Sequence, residues 1–263
     1  MRNFWNLVQN ENMKIYRRLA TWIMLGIVVI IPLGISLLLY AVSGSAADSN
    51  WAIMMISSQF LYFLITIFTV VKASEAVAGE FTWGTIKLLL IRPWRRSTIL
   101  LSKYVSMILF ALFFLAVGFA ASFLMSVVFF GYTSSAAGLS QTASSPWAYM
   151  LALYGLQFVS LIAVATFGFM MSSAFRSSGL AIGLSIFLLL SGQLLAGLFA
   201  LADKAWVKYV VFLHLDLTPY LNGGSPVPNQ ETTLGFSIAI LAAYVIVFNA
   251  VSWTVFCKRD VAA

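Results

Sequence analysis

The residues whose types could do chemistry crowd into one interval. The chain has 15 basic and 8 acidic residues. Of these, Lys72, Glu75, Glu80, Lys87, Arg92, Arg95, Arg96 and Lys103 share one stretch, with long apolar runs on either side. Within it, Gly79 to Thr85 reads GEFTWGT and opens like a phosphate-binding loop. Such a loop needs a Gly-Lys pair followed by Ser or Thr, so that the lysine reaches the phosphates and the hydroxyl reaches Mg2+. Here Thr85 and Ile86 follow Gly84, and no Gly-Lys pair occurs in the chain. The interval is not a nucleotide site, and the chain cannot hydrolyse ATP by that mechanism.

Other constellations fail similar tests. His214 and Asp216 are two residues apart, too few ligands for a metal, and no HExxH is present. The histidine reads as a satisfied surface residue. Gly183 and Ser185 begin a GxSxG pattern, but Phe187 stands where the last glycine belongs. The lone Cys257 excludes an internal disulfide and a multi-cysteine metal site. No catalytic, cofactor-binding or metal-ligating residue is expected, and the chain does not read as an enzyme.

The elements that must position the charged interval are membrane spans. Of the 263 residues, 62% are hydrophobic and 9% charged, and the mean hydropathy is +0.97, far from a soluble domain. About 20 apolar residues cross a bilayer core. This rule places spans near residues 19–42, 51–71, 104–131, 147–172, 179–201 and 234–256, an all-α integral membrane fold in a single transmembrane domain. The first span follows Arg17 and Arg18 and is too long for a signal-peptide core, so it reads as uncleaved. Trp22, Trp51, Trp147 and Trp253 fall near span ends, where amphipathic rings favour the interface.

Six spans put both termini on one side. With the termini cytoplasmic, every lysine and arginine except Lys204 and Lys208 is inside, as the positive-inside rule requires. The net charge of +7 is thereby explained without nucleic acid. Residues 1–18 place Phe4, Val8, Ile15 and Leu19 at helical spacing, the pattern of an interfacial helix whose basic residues lie among lipid phosphates. A solvated extension of the first span is the alternative.

Outside the membrane, residues 43–50 and 132–146 read as plain connectors. The 202–233 loop has an apolar half too short to span, and a short re-entrant or surface helix suits it, capping the bundle or lining the external mouth of a pathway. The spans carry the amides Gln59, Gln157, Gln193 and Asn249 but no clearly central acid or base, which weakens an ion-coupled carrier reading. The amides are expected to bond neighbouring helices. Gly179 and Gly183 form a GxxxG, continued by Gly192, Ala196 and Ala200. Such a small-residue stripe lets another backbone approach closely, and the fifth span is expected at or near a dimer interface.

Inside the 72–103 interval no proline interrupts Glu75 to Leu90, and Trp83, Ile86 and Leu90 share a helical stripe with Phe81 and Leu88 nearby. Pro93 stops that helix, and Ser97 is placed to cap the next. The product is a short cytosolic helix joined rigidly to the second and third spans, with aromatics exposed for a partner. A basic loop on lipid headgroups explains the arginines but not Phe81 and Trp83.

The run EFTWGTIKLLLIRPWRR, Glu80 to Arg96, followed by Lys103, resembles the cytosolic segment of ABC-2 type transporter permeases. The matching positions are Glu80, Gly84, Thr85, Lys87, Leu89, Leu90, Pro93, Arg96 and Lys103. The motif is similar to the bacitracin-resistance and lantibiotic-immunity branch of Gram-positive bacteria. The resemblance implies a plasma-membrane permease subunit of an exporter, with antimicrobial peptides or drugs among its cargo classes. It implies pairing with a second permease copy or paralogue and docking of two ATP-binding subunits, which bind ATP and Mg2+. Glu80, Phe81, Trp83, Gly84, Thr85, Lys87, Pro93, Arg95 and Arg96 would couple the membrane part to those subunits, Glu80 and Arg96 pairing with the ATPase or with each other. A non-transporting six-helix scaffold or sensor that recruits a cytosolic partner is the competing class.

Overall fold

The computed structural model describes residues 2–43, 49–86, 94–134, 139, 145–201, 204, 206–227 and 230–258. Its helices are α1 (Arg2–Tyr16), α2 (Leu19–Ser43), α3 (Asn50–Glu75), α4 (Ala78–Thr82), α5 (Arg96–Phe130), α6 (Pro146–Ala174), α7 (Ser178–Leu201) and α8 (Leu234–Lys258). Short 3-10 turns at Val207–Tyr209, Val211–His214 and Thr218–Asn222 join α7 to α8. No strand forms among the described residues. Six helices, α2, α3, α5, α6, α7 and α8, are long and apolar enough to cross a membrane, in agreement with the six expected spans.

The centre of the bundle is α3, which packs along α5 and α6; α2 lies on α5 and α3, α7 on α3 and α6, and α8 on α6. Close approach is set by small residues, as expected where lipid tails remove any hydrophobic drive between helices. A Cβ on Gly168 of α6 would stand 3.2 Å from Ser74 Oγ and 3.3 Å from both Ala73 Cβ and the Val70 carbonyl of α3. Phe110 and Phe114 of α5 stack with centroids 4.2 Å apart in a cluster with Val28, Leu61, Ile65 and Leu161. Some buried hydroxyls bond within their own helix: Ser58 donates to the Met54 carbonyl at 2.6 Å, and Thr166 to that of Ile162 at 2.6 Å.

The helix that carries the second span runs past residue 71 through Glu75, and the helix that carries the third begins at Arg96, ahead of residue 104. Lys72 and Lys103 are therefore embedded in helices, and both are buried. No single helix covers Glu75 to Thr85; the chain breaks at Ala76 and Val77 and forms the short α4. Ser97 is not the cap of α5, whose N-cap is Arg95 with no side-chain bond.

α1 makes protein contacts along its apolar side. It packs on α5, where Val8 is buried and its carbonyl accepts from Ser106 Oγ at 3.2 Å. Ile15 packs against the cluster around Phe110. Trp51, expected at the membrane interface, is fully buried: its indole donates to the Thr133 carbonyl at 2.7 Å, and its ring meets Trp147 at 5.1 Å.

Candidate functional site

Apart from Lys204 and Lys208, the described basic residues gather at one end of the bundle. There the start of α5 meets the end of α8, where Arg96 Nη1 donates to the Cys257 carbonyl at 3.5 Å. The end of α6 and the start of α7 meet α4 at the same level. Ser172 Oγ accepts from the backbone N–H groups of Val77 and Ala78, each at 2.9 Å. These are N–H groups that the first turn of a helix cannot satisfy internally. At the other end of α4, Thr82 Oγ1 accepts from the Ser178 backbone N–H at 3.0 Å. α4 is thus bonded at both ends to the α6–α7 junction.

Its third attachment is ionic. Glu80 Oε1 accepts from Lys103 Nζ of α5 and from Lys14 Nζ of α1, both at 2.9 Å. Glu11 of α1 accepts from the same two lysines, each at 2.8 Å. Two carboxylates and two ammoniums alternate around a closed ring that ties α1, α4 and α5 together. The Thr85 hydroxyl also donates to the Glu80 carboxylate. Gly84, with φ of +69°, supplies the left-handed turn after α4 that brings Thr85 back to Glu80, a conformation a side chain would disfavour.

Burial works against charge here and loses. Burial would raise the Glu80 carboxyl, but the Lys103 charge, the Thr85 hydroxyl and the bonds from Lys103 and Lys14 hold it down at about 2. Glu11 is likewise lowered: burial raises it, and the charges of Lys103 and Lys14 outweigh that. Lys14 moves up, its desolvation overcome by Glu11 and Glu80. Glu80, Glu11 and Lys14 are all held in their charged forms.

A second group lies beside the first. Arg18 Nη1 donates to Glu75 Oε2 at 3.0 Å, Lys72 Nζ stands 3.9 Å from the same oxygen, and the Arg18 guanidinium lies over the Trp83 ring, 4.2 Å from its centroid. The ring also covers Gly79, where a Cβ would come within 3.2 Å of it. A small cavity of about 60 Å³ separates the two groups.

Of the residues expected to couple to a partner, Glu80, Trp83, Gly84 and Thr85 meet in this structure, but Glu80 is engaged by Lys14 and Lys103 rather than Arg96. Trp83 is 54% exposed. Phe81 is not free for a partner; it packs against the core around Val77, Leu100 and Phe169. Arg95 is exposed. Lys87 and Pro93 lie outside the described residues. Sequence reasoning missed Glu11, Lys14 and Arg18, whose one local signal is the three-residue spacing of Glu11 and Lys14.

The small-residue stripe on α7 divides. A Cβ on Gly183 would meet nothing and one on Gly179 only Ser177 Oγ, at 3.9 Å, so these two face outward. Gly192 instead receives the Phe212 ring, whose Cδ1 would stand 2.7 Å from an added Cβ, and Ala196 packs against the cluster of Val207, Leu213 and Val227. That half of the stripe serves the loop of the same chain.

The 202–233 loop turns back into the bundle. Leu217 is buried against Ala163 of α6 and Leu241 of α8, and Phe212 reaches Gly192, well inside α7. His214 is buried, not on the surface. Its Nε2 is 2.8 Å from the Lys208 carbonyl, which can only accept, so Nδ1 accepts from Ser237 Oγ at 2.7 Å. Burial lowers its pKa, and the Lys208 carbonyl only partly offsets this. The neutral ring pins the loop to α8. The described part of the loop thus folds in against α6, α7 and α8 and brings with it Asp216, an acid from outside the spans.

Asp216 lines a cleft of about 430 Å³ between α3, α6, α7 and the loop, together with Gln59, Tyr62, Thr66, Leu190 and Phe212. The other amides behave variously. Asn249 Nδ2 bonds the Val245 carbonyl at 2.9 Å and Tyr104 Oη at 3.3 Å, Gln157 finds no partner among the described residues, and the Gln193 side chain lies outside the description.

Six helices of membrane-crossing length define a multi-span membrane protein. The chain belongs to the family described as Protein of unknown function (DUF2705), whose model matches residues 19–262. It is 32% identical to the "Uncharacterized protein YhcI" of Bacillus subtilis (strain 168) over an alignment of 314 residues, covering 98% of this chain and 99% of that protein. It is 30% identical over 250 residues to the "Uncharacterized membrane protein YdbK" of the same organism, covering 95% and 99%.

Proposed function

We propose that this chain is the membrane-spanning permease subunit of an ATP-binding cassette exporter, paired with a second permease and driven by two separate ATP-binding subunits. The supporting observation is the attachment of α4. It is bonded to α1 and α5 through Glu80 and to the α6–α7 junction through Ser172 and Thr82. A push on so short a helix is not absorbed locally; it passes to the helices it is bonded to. Trp83 and Arg95 stay accessible beside it, and the basic end on which they sit is the cytoplasmic end by the positive-inside rule. The Bacillus relatives fit a Gram-positive plasma membrane, and the resemblance of Glu80 to Arg96 favours peptide or drug cargo.

The test is co-purification. The tagged chain, extracted from native membranes in mild detergent, is expected to bring down a P-loop ATPase at one copy per permease, and the complex to hydrolyse ATP. A scaffold or sensor would bring down a partner without nucleotide turnover. Absence of any P-loop protein, or turnover unchanged by mutation of Trp83, overturns the reading.

A further inference from the structure

We propose that the cleft bounded by α3, α7 and the 202–233 loop is a binding site for amphiphilic organic cations, with Asp216 as the counter-charge. This goes beyond the exporter reading and does not depend on it, because binding is a property of the chain by itself.

The depth of the site comes first. Tyr62 lies near the middle of α3, about 18 Å from its start at 1.5 Å per residue. Leu189 and Leu190 lie near the middle of α7, and Val164 is well inside α6. All four line the same cleft as Asp216, so the loop brings a carboxylate to a cleft that reaches the middle of the spans. A charge there is costly and is kept where it meets a partner or a ligand.

The carboxylate is held in place but not neutralised. Asp216 Oδ1 accepts from the backbone N–H of Thr218 at 3.0 Å and from its hydroxyl at 2.6 Å. Among the described residues no lysine or arginine forms an ion pair with it, and the side chain is exposed to the cleft. Oδ2 remains available to a cation.

The walls supply the rest of the chemistry. Tyr62, Phe63 and Phe212 present aromatic surface, Leu189, Leu190 and Val164 aliphatic surface, and Gln59 and Thr66 polar groups. The volume of about 430 Å³ suits a small molecule. Aromatic rings with one carboxylate recognise a cation carrying an apolar body, through the ring faces as well as the charge. A neutral lipid tail would use the walls and ignore Asp216, and an anion would be repelled by it.

The experiment is calorimetric titration of the purified full chain, in nanodiscs of zwitterionic phosphatidylcholine, with tetraphenylphosphonium and with the neutral triphenylphosphine oxide; empty nanodiscs give the partition blank. Saturable binding of the cation is expected, at least about tenfold tighter than the neutral compound. Asp216→Asn keeps the Oδ1 acceptor for Thr218 and removes only the charge. It is expected to bring the cation down to the neutral level, whereas Leu190→Trp, at an exposed wall position, weakens both. Equal binding of the two compounds to the wild-type chain, full cation binding by Asp216→Asn, or no saturable binding overturns the proposal. The first comparison needs no variant, so the test stands even if Asp216→Asn does not fold. It uses neither nucleotide nor ATPase, so its failure is separate from failure of the exporter reading.

Discussion

Glu80 and Lys103, 23 residues apart, share a 2.9 Å ion pair that is almost closed to solvent, with side-chain exposures of 11% and 3%. Lys103 serves Glu11 through the same ammonium, so a single lysine bridges acids from α1 and α4.

Removing that lysine leaves two buried carboxylates facing Lys14 alone. Lys103→Met is expected to lower stability by about 3 kcal/mol, the usual cost of leaving a buried partner unpaired. Thermal melting in detergent checks it. Adding Glu80→Gln is expected to recover part of the loss, because one stranded charge is then gone.

The ring also sets an acid limit. The Glu80 carboxyl sits at about 2 in the fold against 4.5 for the free group, so the unfolded chain takes up the proton first. Its contribution to stability is complete above pH 4.5 and drains away as pH falls from 4.5 toward 2. Melting temperature followed across that window is expected to fall, and to fall less steeply in Glu80→Gln.

Trp83 is more exposed than its stacking partner would suggest, so its removal separates structure from function. Trp83→Ala is expected to cost less than about 1 kcal/mol, the worth of an exposed cation–π contact. If α4 receives the push of an ATPase, the same change is expected to reduce ATP-dependent transport severalfold while the permease still melts normally. Transport rate and melting curve on one preparation check both halves.

Gly192 tests the loop. An added Cβ would stand 2.7 Å from the Phe212 ring, so Gly192→Ala is expected to cost about 1 to 3 kcal/mol by overpacking. Phe212→Ala in the same chain is expected to relieve that strain. A double-mutant cycle on melting temperature shows whether the two changes couple.

The spans were legible because membrane length and apolar composition are local properties, and the small residues of α7 announced close packing. The contacts of those residues were not. Gly192 looked like a place for another subunit and instead receives Phe212, because the pattern records that something approaches, not what. The charge ring was hidden for a related reason: Glu11 finds Lys103 across 92 residues, and nothing in either neighbourhood names the other. His214 was misplaced on the surface because a run too short to span says little about depth, whereas the 3-10 turns fold it inward.

The 92-residue separation between Glu11 and Lys103 has a bearing on how the protein is made. α1 leaves the ribosome well before α5, yet its acid Glu11 has its second lysine there. Glu80 arrives only shortly before that helix. The beginning of the chain must therefore wait, already synthesised, until the third span is inserted, and only then is it seated. Birth order and assembly order run differently in this molecule.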